Sequence, residues 1–84
     1  MIDAVLSDRA SKYGDFVNLA SIAQSLKKTI RNTPRWHTLT DDKKEALEMV
    51  VHKMARILNG DPSYKDSWTD IIGYVKRIED TLSD

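Results

Sequence analysis

Three stretches of this chain repeat their apolar residues every three or four positions, and none alternates β-branched or aromatic residues with polar ones over five positions. The first spacing lays a stripe along one side of a helix; a strand needs the second. The chain therefore reads as all-α. One stripe is Phe16, Leu19, Ile22, Ala23, Leu26 and Ile30, which predicts a helix over 16–31. Leu47, Val50, Val51, Met54 and Leu58, widened by Ala46 and Ile57, lie in a helix over 41–58. Trp68, Ile71, Ile72, Val75, Ile78 and Leu82 mark a last helix that starts between Pro62 and Ser67 and ends near Leu82. Ile2, Val5, Leu6 and Ala10 give a short N-terminal helix over 2–12.

Turn chemistry separates these segments. Gly14 can take positive φ, and Asp15 can cap the following helix by accepting a free backbone N–H. Pro34 biases Thr33 away from helix, so 32–39 is a loop. Thr40 is placed to start the third helix, with Asp41 and Asp42 in a first turn that favours negative charge. Asn59-Gly60 stops that helix, and Asp61-Pro62 continues the turn. The expected architecture is a single domain over 1–84: a compact bundle of three long amphipathic helices plus a short N-terminal one.

Composition narrows the function. With no cysteine in 84 residues, a disulfide framework and a thiolate metal site are excluded. Lys+Arg and Asp+Glu balance at 13 each, which argues against a polybasic coat on nucleic acid. No apolar run approaches the roughly 20 residues of a membrane span. The first residues lack the charged and apolar regions of a signal peptide, so the expected location is the cytoplasm. A chain this short buries only about 60–65% of its unfolded surface, and association is a common remedy; a homo-oligomer is expected. Charge is uneven: 27–44 has a basic excess (Lys27, Lys28, Arg31, Arg35, Lys43, Lys44), and 59–84 an acidic one.

The helical wheel sorts the polar residues. In the third helix the stripe centres near Met54, with Glu45, Glu48, His52 and Arg56 opposite. In the fourth it centres near Val75, with Asp66, Asp70, Gly73 and Arg77 opposite. For Glu45, Glu48 and His52 the simplest reading is a solvated face, with Glu48 and His52 an ordinary i,i+4 pair. Asp66 and Asp70, one turn apart, favour a cation between them. That cation is either a side chain (Lys53, Arg56 or Arg9) or magnesium, the one metal this composition supports. Gly73 lowers helix propensity by about 1 kcal/mol relative to Ala, which a helix tolerates where a backbone, ring or ligand comes close.

Tyr13-Gly14-Asp15 is a turn and a cap, but the Tyr13 ring also suits stacking on a base, with Arg9 one turn earlier on phosphate. Lys53 and Arg56 are solubilising charges or grips for an anion. Arg35-Trp36-His37 is a basic-aromatic loop of the kind found in nucleic-acid binders, yet the neutral overall charge ranks that partner last. There is no Gly-rich phosphate loop, no His-Glu-x-x-His and no Gly-x-Ser-x-Gly.

Three ordered motifs carry a family resemblance: Arg9-x-x-x-Tyr13-Gly14-Asp15, Lys53-Met54-Ala55-Arg56, and Asp66-Ser67-Trp68-x-Asp70-Ile71-x-Gly73-Tyr74. Over residues 6–80 the chain resembles a small phage and prophage family of unknown function. That resemblance implies a phage origin and action in the host cytoplasm, and supplies no activity. The candidate ligand- or partner-binding residues are those of the motifs: Arg9, Tyr13, Asp15, Lys53, Arg56, Asp66, Asp70, Gly73 and Tyr74.

A remoter resemblance is to the all-α NTP pyrophosphatases of the MazG-like type. They hold magnesium against a nucleoside triphosphate with Glu-x-x-Glu on one helix and Glu-x-x-Asp on the next. Glu45-Ala46-Leu47-Glu48 fits the first motif; in the second, Asp66 stands four residues before Asp70 and Ser67 replaces an acid.

Two functions follow as expectations. The first is an accessory protein that binds a host or phage protein without catalysis or cofactor. The alternative is a nucleotide-binding protein, pyrophosphatase-like and magnesium-dependent. It would use Arg9, Tyr13, Lys53 and Arg56 on phosphate and base, and Asp66 and Asp70 on the metal.

Overall fold

The computed structural model describes residues 2–83. It is all-α, with helices α1 (Ile2–Tyr13), α2 (Phe16–Arg31), α3 (Asp41–Asn59) and α4 (Lys65–Glu79), and a short 3-10 turn at Trp36–Thr38. Asp15 caps α2 by accepting from the Asn18 N–H at 3.2 Å, and Gly14 has φ 81°. Thr40 stands at the N-cap of α3, but its hydroxyl donates to the Asp42 carboxylate rather than accepting from the helix. No described helix is long and apolar enough to cross a membrane.

The middle position belongs to α3, which packs against α2 on one side and α4 on the other; α1 touches α2 and α3 more lightly. Leu19 and Ala23 of α2 meet Ala55 of α3, with Ile22 against them. On the α4 side Ala46, Lys53 and Ser67 are buried. These small residues lie at the helix contacts, and the four helices form a bundle that is somewhat extended. Its extents are 46 × 26 × 22 Å. The radius of gyration is 14.5 Å, where a compact chain of this length would have about 12 Å.

This geometry corrects the wheel. Leu47, Met54 and Leu58 were expected inward, yet all three are exposed, as are Trp68, Ile72, Val75 and Leu82. Phe16 also stands out in solvent. On α4 the side turned to α3 is Ser67, Asp70, Ile71, Tyr74 and Ile78, the residues of that helix with the least exposure. The physical reason is the central place of α3. A helix gripped on two sides must use two arcs for packing, and its apolar stripe falls between them. Gly73 needs correction too: a Cβ there would meet nothing within 4 Å, so no backbone or ring crowds it in the single chain.

The α1–α2 and α3–α4 turns interlock. The Asn59 amide donates to the carbonyls of Tyr13 at 2.9 Å and Asp15 at 3.0 Å. The Asp61 N–H donates to the Lys12 carbonyl at 2.7 Å. Gly14 lies against the Asn59 carbonyl and Gly60 against the Lys12 carbonyl, each without room for a Cβ. Gly60→Ala should therefore destabilise by about 1–3 kcal/mol through overpacking against backbone. Gly73→Ala should stabilise by about 0.5–1 kcal/mol through helix propensity. Thermal unfolding followed by circular dichroism should move down for the first variant and up for the second, by roughly 4–8 °C per kcal/mol.

Candidate functional site

The turn clasp sets Tyr13 against α3. Its ring lies under the Arg56 guanidinium, 4.4 Å from the guanidinium carbon, within cation–π range. Tyr64 meets the same ring edge-on, with centroids 5.8 Å apart and planes at 79°. Around Tyr13 opens a cleft of about 460 Å³ between α1, α2 and α3. Its polar lining is Arg9, Asp15, His52 and Arg56; its apolar lining includes Leu6, Phe16 and Leu19.

The cleft is electropositive. Arg9 and Tyr13 are one helical turn apart on α1, and His52 and Arg56 one turn apart on α3, so each helix presents a pair to the same space. The His52 imidazole is pushed below its ordinary 6.5, first by burial and then by the charges of Arg56, Lys27 and Lys53. It therefore stays neutral near pH 7 beside permanent cations. The Arg56 Nε is buried and has no hydrogen-bond partner among the described residues. An unpaired buried donor costs about 1–3 kcal/mol.

The other candidates lie toward α4. Lys53 is only 8% exposed, and its ammonium pairs with Asp70 at 2.9 Å across the α3–α4 contact. The cation beside Asp70 is thus a side chain of the protein. Asp66 accepts from the Tyr64 hydroxyl at 3.0 Å. Gly73 and Tyr74 lie beside Asp70 on α4, where Arg77 stacks on Tyr74 at 5.5 Å.

Among the described residues no three of His, Asp or Glu come together as a metal-ligand group. Glu48 is held by Arg31 of α2 rather than paired with His52, and Glu45 is exposed; neither lines the cleft.

The nine motif residues thus fall into two groups. Arg9, Tyr13, Asp15 and Arg56 share the cleft, Asp66, Asp70, Gly73 and Tyr74 share α4, and Lys53 ties α3 to α4. His52 and Phe16 join the first group without having been singled out for it. The signal for His52 was available: it precedes Arg56 by four residues, as Arg9 precedes Tyr13.

The fold and the cleft define a small all-helical protein with a cationic, aromatic-lined pocket. It belongs to the DUF6378 family, a domain of unknown function whose model matches residues 2–81. That match brings neither a phage origin nor a kinship with NTP pyrophosphatases. No curated protein and no solved structure matches the chain.

Two measurements test this geometry. Asp70→Ala leaves the Lys53 ammonium buried and unpaired and should cost about 1–3 kcal/mol. Lys53→Met added to it should recover part of that loss, which urea unfolding of the single and double variants would reveal. For His52, the unfolded chain takes up a proton at higher pH than the folded chain does. Stability is therefore full above pH 6.5 and falls as pH drops below it. His52→Gln should flatten that slope in unfolding free energies measured between neutral and mildly acidic pH.

Proposed function

We propose that the chain is a binding protein whose cleft takes an aromatic anion of the nucleotide class. The observation that carries this reading is Arg56, laid on the Tyr13 ring with a buried and unpartnered Nε. A phosphate suits the Arg56 fork, and Arg9 at the same cleft supplies a second cation. The exposed Phe16 ring offers a stacking surface for a base. The recognising groups act by charge, hydrogen bonding and stacking, so binding needs no metal ligand from Asp66 or Asp70.

A second reading, an accessory protein that docks on a host or phage protein, draws its support from a different surface, the uncovered apolar residues of α3 and α4.

Calorimetry with a panel of nucleoside mono-, di- and triphosphates, with and without magnesium, tests the first reading. Expected is a measurable affinity that Arg56→Met weakens by about 10- to 100-fold, as for a lost charged hydrogen bond. Asp70→Asn should leave affinity within a few-fold. Absence of heat and of any thermal shift at millimolar nucleotide would overturn it. Hydrolysis that requires magnesium and Asp70 would move the conclusion to a pyrophosphatase.

A further inference from the structure

The arcs of α3 decide what faces where. Lys53 points to α4, where it meets Asp70, and Ala55 to α2, where it meets Leu19 and Ala23. Of the two remaining arcs, one carries His52 and Arg56 toward the cleft. The other, roughly opposite on the wheel, carries Leu47, Met54 and Leu58. On α4 the neighbouring arc carries Trp68, Ile72 and Val75, with Leu82 just beyond the helix end, and the antiparallel course of the two helices brings both arcs to one side of the molecule. An apolar groove of about 320 Å³ runs along it, lined by Leu47, Val50, Val75, Ile78 and Leu82 among others.

We propose that a second copy of this chain covers the α3–α4 face, making a two-fold dimer with the ligand clefts on its outer sides. Three observations favour a second copy. The chain exposes 6246 Å², against about 5,100 Å² for a folded monomer of its mass. That excess of about 1,100 Å² is more than the roughly 800 Å² that one partner gives to a dimer interface of ordinary size. The core is also thin: the buried apolar residues are Leu19, Ala23, Ala46, Val51 and Ala55, three of them alanines. A thin core beside an open apolar side leaves surface for a second copy to cover, and an identical chain is present wherever this one is made. The rim fits a two-fold arrangement as well. Lys43 and Glu79 both border the groove, so a rotated copy can offer each a group of opposite sign.

Sedimentation velocity at micromolar concentration tests the dimer. Expected is twice the 9.6 kDa mass, with a melting temperature that rises with protein concentration. Ile72→Glu and Val75→Lys should each weaken dimerisation at least about 30-fold, as loss of a central anchor does. Both side chains are exposed in the single chain, so the helix content of the monomer should persist. Val17→Glu, exposed on α2 away from this face, should leave the dimer intact. A wild-type chain that stays monomeric at high concentration overturns the proposal and leaves the face to a different protein. So does a dimer that tolerates both α4 variants. Nucleotide calorimetry on the Ile72→Glu variant keeps this outcome separate from that of the cleft, which lies on the far side of α3.

Discussion

The contact between the α1–α2 turn and the α3–α4 turn governs the rest of this molecule. Asn59 donates both amide hydrogens to backbone carbonyls of the other turn, and Asp61 adds a backbone bond to Lys12. The two turns come so close that only glycine fits at 14 and 60. α1 has no buried residue, so apolar packing holds it weakly. What fixes its end is this polar clasp, and that end carries Tyr13. The cation–π contact with Arg56 and the mouth of the cleft therefore depend on hydrogen bonds made at the far end of α3.

From α3 outward, the structure divides by arcs. Small residues on the flanks draw the neighbouring helices close. Close approach leaves little buried apolar area, which is why the core consists largely of alanine. The Lys53–Asp70 pair belongs to the same economy of space. A long aliphatic stem fills the α3–α4 contact while its charge finds a carboxylate at the border, where Asp70 is still partly exposed. Such a pair contributes less net stability than an apolar pair of similar volume, but it penalises any register that separates its members.

The helices, their order and most of their ends were legible in the sequence. Periodicity of 3.6 residues, a glycine at each main turn and an aspartate cap are local signals, and local signals survive folding. The inward face was legible in part: Leu19, Ala23, Ala46 and Val51 lie on the expected stripes and are buried, whereas Leu47, Met54 and Leu58 are exposed. A wheel gives the direction of a stripe but assumes that the stripe meets the neighbour. Here Ala46, Ala55 and Ser67 meet the neighbours, and they register weakly on any hydropathy scale. Lys53 was one of three side chains expected as the cation beside Asp66 and Asp70; that it, rather than Arg56 or Arg9, pairs with Asp70 is set by helix packing that a single sequence does not reveal. The cleft was half legible: Tyr13 and Arg56 stood out in their motifs, but His52 looked like a partner for Glu48 until Arg31 was seen to hold that carboxylate.

The two open sides of α3 ask different things of the same helix. The cleft side gathers the cations Arg56 and Arg9 beside a half-buried, neutral His52, and under the proposed function an incoming anion relieves the repulsion between the two arginines. The other side presents leucine, methionine, isoleucine and tryptophan, which repel nothing and simply lack cover. Charge relief needs a rigid frame, because a guanidinium free to swing into water has no strain to release. Covering the apolar side would supply that rigidity by fixing α3 and α4 in place, and would do so without obstructing the cleft. The thin core and the exposed face are then two aspects of one arrangement. In it, α3 is positioned by its neighbours, with one free arc on the apolar groove and the opposite arc on the cleft.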